Sequence, residues 1–199
     1  LLSGYGMTEA TGGITMTPEN NYKEDSVGIA LPGVQLRLEE DGELCIKGPY
    51  ISSGYYKDNN SKLFKNGWVH TQDIFYEKLN HYFIIDRKKD IYKNSRGQTI
   101  APQKIENLFQ DFESIKSVFL IGDGKEFNTV LIYPNYDDDR TSLDHGRVND
   151  VRDLYSSMIL SVNSFLSPFE RIINYVIINR NFSQGKGELT PKGTFIRKK

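Results

Sequence analysis

The chain has 199 residues, 38% of them hydrophobic, with 25 Lys and Arg against 26 Asp and Glu and a formal net charge of −1. That length holds one large domain or two small ones, and the near-neutral balance with a pI near 6.4 excludes a general nucleic-acid or membrane-surface binder, which would carry a basic excess. The single cysteine, Cys45, excludes an internal disulfide framework and a four-cysteine zinc site, so a reducing compartment, the cytoplasm, is the simplest setting.

The opening stretch, "LLSGYGMTEATGG", reads as the end of a strand running into a glycine-rich loop. A chain that begins there is expected to be a piece of something larger. Its first residues lack the charged-then-apolar order of a signal peptide, and no apolar run approaches the roughly 20 residues of a membrane span. Next, "VGIALPGVQLRLEEDGELCIKG" alternates apolar and polar residues on either side of "EEDG", the pattern of a hairpin with an acidic turn. "GPYISSGYYKD" is a glycine-punctuated loop. "GWVHTQDIFYE" and "HYFIIDR" predict a second strand pair turning at "KLNH".

After residue 90 the texture changes. "APQKIENLFQDF" places Ile105, Leu108, Phe109 and Phe112 at helical spacing, with Pro102 tolerated in the first turn. "IKSVFLIGDGKEFNTVLIYPN" predicts two strands around a turn to which Gly122 and Gly124 lend backbone freedom. "YDDDRTSLDHGRVND" reads as a polar surface loop. A longer helix, "VRDLYSSMILSVNSFL", is expected to end before Pro168, and "INYVIINRNF" is a further strand. The fold class is therefore α+β. Residues 1–85 read as a mostly β part too small to be comfortable alone, and residues 86–199 as a small α+β lid.

Two places carry chemistry. "GYGMTEATGG" combines a tight glycine turn, the hydroxyl of Thr8 and the carboxylate of Glu9, which suits placing a phosphate oxygen beside Mg²⁺. It lacks the Gly-Lys-Ser/Thr spacing of a phosphate-binding loop, and an ordinary glycine-rich turn is the plainer alternative. "HTQD" ends a strand with Asp73 and "IIDR" ends the next with Arg87. A carboxylate and a guanidinium at neighbouring strand ends can hold a ribose diol from both sides, or form a surface ion pair of small energetic consequence. Beyond them, Arg87, Lys88, Lys89, Lys93 and Arg96 crowd five cations around Gly97. A solvated turn accounts for such a cluster, and so does a loop that holds a phosphate-bearing ligand and then moves.

"YGMTE", "GELCIKGPYISSGYY", "GWVHTQD" and "DRKKDIYKNSRGQTIAPQKIE" follow one another in the order and spacing of the adenylate-forming (AMP-binding) synthetases. The form "DIYKNSRGQTIAPQKIE" and the ending "NRNFSQGKGELTPKGTFIRKK" resemble the long-chain fatty acyl-CoA synthetase branch, so the resemblance covers nearly the whole chain. It implies a two-step reaction in which a fatty acid or other carboxylate attacks the α-phosphate of ATP and the thiol of CoA then attacks the acyl-AMP. By the same resemblance, residues 1–85 are the C-terminal portion of the nucleotide-binding N-terminal domain; Tyr5 lies against adenine, Gly6 is cofactor-binding, Thr8 contacts phosphate, Glu9 holds Mg²⁺, and Asp73 with Arg87 binds the ribose. Lys89 takes the hinge position about which the lid rotates. Gly97 then lines the pantetheine tunnel, where a backbone without Cβ approaches the CoA arm closely.

Two departures stand out. Gln72 replaces the family's glycine before the ribose-binding aspartate. The family's C-terminal lysine, which neutralises charge developing in adenylation, falls on Thr194 by strict spacing, with Lys192 two residues earlier. Lys192 either supplies the contact or the contact is lost. The family's phosphate-binding loop and acyl pocket precede the tyrosine-glycine motif, so the chain is expected to need the rest of the N-terminal domain and to be inactive alone. Acyl length lies with that absent pocket, and any peripheral membrane contact with regions upstream. Two other readings remain open here: a ligase loading a carrier-protein thiol, and a non-catalytic remnant that keeps only the fold.

Overall fold

A computed structural model describes residues 2–57, 62–138, 141, 148–191 and 193–197. The architecture is α+β and dominated by strands. The chain divides into two compact units, residues 1–89 and 90–199, each with its own apolar core.

In the first unit, β1 (Gly4–Met7) pairs antiparallel with β2 (Gly12–Met16), on which the short β3 (Ile29–Ala30) also pairs. Between β1 and β2 the chain makes one 3₁₀ turn, Thr8–Ala10, closed by Thr11 in the left-handed region at φ 54°. Gly6 is dictated by this crossing: a Cβ there would lie 2.3 Å from the Gly12 carbonyl oxygen.

The acidic-turn hairpin forms as the alternation predicts, with β4 (Gln35–Leu38) antiparallel to β5 (Glu43–Lys47). Gly42, at φ +83°, supplies the left-handed residue, and its N–H donates to the Glu39 carbonyl at 2.9 Å. Next come β6 (Phe64–Lys65), β7 (Trp68–Lys78) and β8 (His81–Arg87). The sheet order is β4-β5-β7-β6, with β8 also paired to β7. Leu79 and Asn80 join β7 to β8 with both φ positive (54° and 63°), the mirror-image turn that matches strand twist. Central β5 buries residues from both faces, so its apolar Leu44, Cys45 and Ile46 share the strand with a buried carboxylate, Glu43.

In the second unit, β9 (Tyr92–Lys93) and β10 (Thr99–Ile100) pair antiparallel and bracket the basic loop. Then follow α1 (Pro102–Asn107), β11 (Ile115–Ile121), β12 (Asn128–Pro134), α2 (Val148–Ser164) and β13 (Ile172–Ile177). β11 and β12 form the expected hairpin, whereas β13 joins β12 in parallel. A parallel neighbour needs a long crossover, and α2 lies within it. Val151, Tyr155 and Val162 of α2 pack with Val130, Ile132 and Ile172 in one core.

Several element boundaries differ from expectation, the ends of both helices among them. The helix read across Phe112 stops at Asn107, and the chain continues in tighter i→i−3 turns, with the Leu108 N–H on Ile105 O and the Phe109 N–H on Glu106 O. Phe109 stays buried, so the apolar spacing marked the core correctly and the helix length wrongly. α2 ends at Ser164, and Asn163 accounts for the clean stop: its amide donates to the Ile172 carbonyl and accepts from the Ile172 N–H, both at 2.8 Å, fixing the start of β13. Much of "YDDDRTSLDHGRVND", read as a loop, lies outside the described residues, and its last three residues instead begin α2 at Val148.

Candidate active site

Antiparallel register between β7 and β8 sets Asp73 opposite Arg87. The Arg87 Nε lies 3.4 Å from Asp73 Oδ1, with the guanidinium half exposed and the carboxylate buried. Across a different sheet, Tyr5 of β1 donates its hydroxyl to Asp73 Oδ2 at 2.6 Å. The Tyr5 ring packs edge-on against Phe75 with centroids 4.9 Å apart. Burial, then the Asp73 charge, push the Tyr5 phenol well above its ordinary range, so it remains a donor at any physiological pH. The Tyr5–Asp73 bond is invisible to strand alternation, because it joins two motifs 68 residues apart.

Gln72, standing where glycine was expected, adopts φ 61°. Its N–H donates to Glu43 Oε1 at 3.0 Å, which helps hold a non-glycine residue in the left-handed region. The turn lets Thr71 and Asp73 both face inward, and Thr71 Oγ1 accepts from the Asp73 N–H at 3.2 Å while donating to Leu44 O at 2.8 Å. The glycine-to-glutamine departure thus leaves a glycine-type backbone in place.

Thr8 is exposed and Glu9 half-buried in the 3₁₀ turn after β1. The "GPYISSGYY" segment folds over this turn: the Ser52 N–H donates to Glu9 O at 2.7 Å, Thr11 Oγ1 donates to Tyr50 O at 3.2 Å, and the Tyr55 hydroxyl donates to Glu9 Oε1. Glu9 therefore presents a fixed carboxylate beside a free-facing hydroxyl. A single carboxylate of this kind suits Mg²⁺, which binds through one or two carboxylates plus substrate phosphates rather than an all-protein cage.

The hinge candidate Lys89 is exposed in the turn after β8, and the boundary between the two units falls directly after it. Its neighbour Lys88 is firmly anchored. The Lys88 Nζ reaches Asp41 Oδ2 at 2.5 Å and Glu43 Oε2 at 2.8 Å, and its N–H donates to Gln72 O at 2.8 Å. The hydrogen bonds it donates to Asp41 and Glu43 raise the Lys88 ammonium well above its usual range. Burial alone would raise the Glu43 carboxyl, but Lys88 and His70 outweigh it and leave it below the ordinary range. Neither Glu43 nor the fixing role of Lys88 stands out in the sequence.

In the second unit, Gly97 sits at φ +77° with open space where a Cβ would be. Asn94 organises its loop: Oδ1 accepts from the N–H groups of Arg96 and Gln98, and the Gly97 N–H donates to Asn94 O at 2.9 Å. Arg96 pairs with Glu126 at 3.1 Å, one of the cluster's cations held by an exposed ion pair. At the C-terminal end Lys192 lies outside the described residues. Around it, the Thr190 and Thr194 hydroxyls meet at 2.7 Å and the Thr190 N–H donates to Thr194 O at 2.8 Å, closing a tight turn. Arg197 then binds Glu106 and the Leu120 carbonyl and stacks on Phe119, fastening the tail to β11.

Residues 1–56 match the AMP-binding enzyme family, and residues 89–199 match the AMP-binding enzyme C-terminal domain. The chain belongs to the AMP-binding enzymes. It is 32% identical to human long-chain-fatty-acid–CoA ligase 1 over 94% of this chain and 31% of that protein. It is 29% identical to long-chain-fatty-acid–CoA ligase FadD15 of Mycobacterium bovis over 100% of this chain and 36% of that protein. The chain thus spans about a third of these two relatives. In fold it resembles the adenylation domain of a carboxylate reductase from Mycobacterium chelonae, with TM-score 0.77, 20% identity, and coverage of 98% of this chain and 32% of that one. It also resembles the anthranilate CoA ligase AuaEII in complex with anthranoyl-AMP, with TM-score 0.73, 14% identity, and coverage of 90% and 36%.

Among the described residues no helix is long and apolar enough to cross a membrane.

Proposed function

We propose that the chain is the C-terminal part of an AMP-forming ligase that joins a long-chain fatty acid to the thiol of CoA. Residues 1–89 supply part of the nucleotide floor and residues 90–199 the lid, with Lys89 between them as the hinge. The observation that carries the reading is the Tyr5–Asp73–Arg87 group, which aims a buried, pre-oriented carboxylate and a half-exposed guanidinium at one place. A carboxylate there accepts from vicinal ribose hydroxyls, which a buried apolar floor would not do.

In this account Asp73 and Arg87 fix the ribose, and Tyr5 with Gly6 borders the adenine. The Thr8 hydroxyl contacts a phosphate oxygen. Glu9 holds Mg²⁺, which when bound neutralises phosphate charge as the carboxylate attacks. Positioning and charge neutralisation are the chief protein contributions to such a displacement. Lys192 brings a further cation to the developing charge. The lid then turns about Lys89, and Gly97 borders the pantetheine arm, where any side chain would obstruct a close backbone approach. A long-chain acid fits the identities of about a third with curated CoA ligases.

The test is the binding of a non-hydrolysable acyl-adenylate analogue to the full-length protein, by calorimetry. Saturable binding, weakened at least about tenfold in Asp73→Ala, supports the reading. Absence of binding contradicts it and favours a fold-only remnant. Thioester formation with free CoA separates a CoA ligase from one that loads a carrier protein.

A further inference from the structure

Three side chains that the proposed ligation does not use meet at one point in the first unit. Cys45 of β5 and His70 of β7 are cross-strand partners, and Glu39 stands in the turn that follows β4. The Cys45 Sγ lies 3.3 Å from His70 Nδ1 and 3.5 Å from Glu39 Oε1. All three donor atoms fall within 4.8 Å of one another. With Zn–S of about 2.3 Å and Zn–N and Zn–O of about 2.0–2.1 Å, tetrahedral ligands stand about 3.3–3.6 Å apart. Two of the three separations already have those values.

We propose that Cys45, His70 and Glu39 form a binding site for a single zinc ion. The donor set of one thiolate, one imidazole and one carboxylate suits this borderline-soft cation better than Mg²⁺ or Ca²⁺, which take oxygen ligands. Glu43 Oε2 lies 3.4 Å from His70 Nδ1 but is held by Lys88 at 2.8 Å, so the fourth position falls to a water. Entry is provided by a cleft of about 250 Å³ whose lining includes Glu43 and His70. Lys62, Lys65, Lys88 and Lys89 also line that cleft; Lys88 is engaged with Asp41 and Glu43, while Arg37 pairs with Glu39 Oε1 at 2.5 Å and lies over the Trp68 face at 4.5 Å.

Without metal, burial and then the hydrogen bond to Glu39 push the Cys45 thiol up to about 12, so it stays protonated and donates to Glu39. A bound cation reverses that preference. The Cys45 Sγ–H proton leaves to solvent as the sulfur–metal bond forms, and Glu39 Oε1, which Arg37 holds at 2.5 Å without metal, must turn from that guanidinium to the ion. The ion would tie β5, β7 and the turn after β4 together, a tether independent of the nucleotide chemistry.

The experiment is a Co²⁺ titration of the full-length protein under reducing conditions, followed by displacement with Zn²⁺. The expected result is a sulfur-to-cobalt charge-transfer absorption that saturates at one equivalent, disappears on adding Zn²⁺ and is absent in Cys45→Ala. In Glu39→Gln, whose side chain is 34% exposed and so tolerates the change, cobalt affinity should fall about tenfold or more. This variant carries the test even where Cys45→Ala does not fold. No charge-transfer band in the wild type, a band that survives Cys45→Ala, or unchanged affinity in Glu39→Gln would overturn the site. Cobalt bound at Glu9 would give no sulfur band, so the outcome is separate from that of the nucleotide assignment.

Discussion

Tyr5 and Asp73 share a 2.6 Å hydrogen bond that joins the first strand of the chain to the middle of β7. It places the carboxylate so that Oδ2 faces the phenol and Oδ1 faces Arg87. A carboxylate held this way would lose little rotational freedom on binding the proposed ribose, which is where preorganisation contributes to affinity.

Asp73→Ala in the intact enzyme should therefore raise the KM for ATP strongly. Two hydrogen bonds to a charged acceptor disappear, each contributing about 1.5–3 kcal/mol. Tyr5→Phe keeps the ring on Phe75 and removes only the bond that orients Asp73, so its KM should rise several-fold and by less than that of Asp73→Ala. Initial rates against ATP concentration decide it, and unchanged KM in both variants would sink the ribose assignment.

Gly97→Ala should cost about 1–2 kcal/mol of stability in its unit, from the left-handed backbone alone, because nothing stands within 4 Å of the added Cβ. In the intact enzyme the same variant should slow thioester formation while leaving acyl-AMP formation near its wild-type rate. Thermal unfolding and separate half-reaction assays read the two effects. A stability loss with no step-specific defect would leave Gly97 a turn glycine only.

Much of this was legible because local patterns sufficed. Alternation flanking an acidic turn located β4 and β5, and Asp73 opposite Arg87 followed from two strands meeting at a short turn. What escaped was set by distant partners. Glu43 reads as one polar residue in a strand, yet it holds Gln72 and Lys88 from the buried side. The Tyr5 hydroxyl finds Asp73 only once two sheets are in place. α1 ended early although its apolar spacing continued, since spacing records which residues are buried and says less about whether the bonds between them run i→i−4 or i→i−3. Gln72, too, depends on a distant partner: it occupies the left-handed region while Glu43 holds its N–H.

The tail that carries Lys192 should respond to acid. Arg180 makes a two-point contact with Glu188, at 2.7 and 2.9 Å, and the Ser183 N–H donates to the same carboxylate. The Arg180 hydrogen bond, then that of Ser183, lower the Glu188 carboxyl from its ordinary 4.5 to about 2. A depressed carboxyl contributes order that is fully present above about pH 4.5 and fades as pH falls through about 2. The protection of amides in residues 183–190, measured relative to unstructured peptide at the same pH, should fall over that window in the wild type, and Glu188→Gln should show low protection already at neutral pH. Protection that ignores both acid and the substitution would remove Glu188 as the organiser of this loop.

Lys192→Ala should slow acyl-AMP formation by about 10²–10³, the loss typical of one preorganised contact to developing charge. Thioester formation from supplied acyl-AMP should be nearly untouched. Pyrophosphate release in a single turnover measures the first step. An equal loss in both steps would mean that Lys192 has no step-specific role.

The most direct test of the account is Lys89→Pro in the full-length protein, with the two half-reactions measured separately. Lys88 is pinned to Asp41, Glu43 and the Gln72 carbonyl, so rotation of the lid must be absorbed immediately after it. A proline locks φ at that place. The account predicts acyl-AMP formation near the wild-type rate and thioester formation from acyl-AMP and CoA slowed by orders of magnitude. Equal rates in both half-reactions, or a loss confined to adenylation, would contradict a ligase whose two steps are divided by a turn about Lys89.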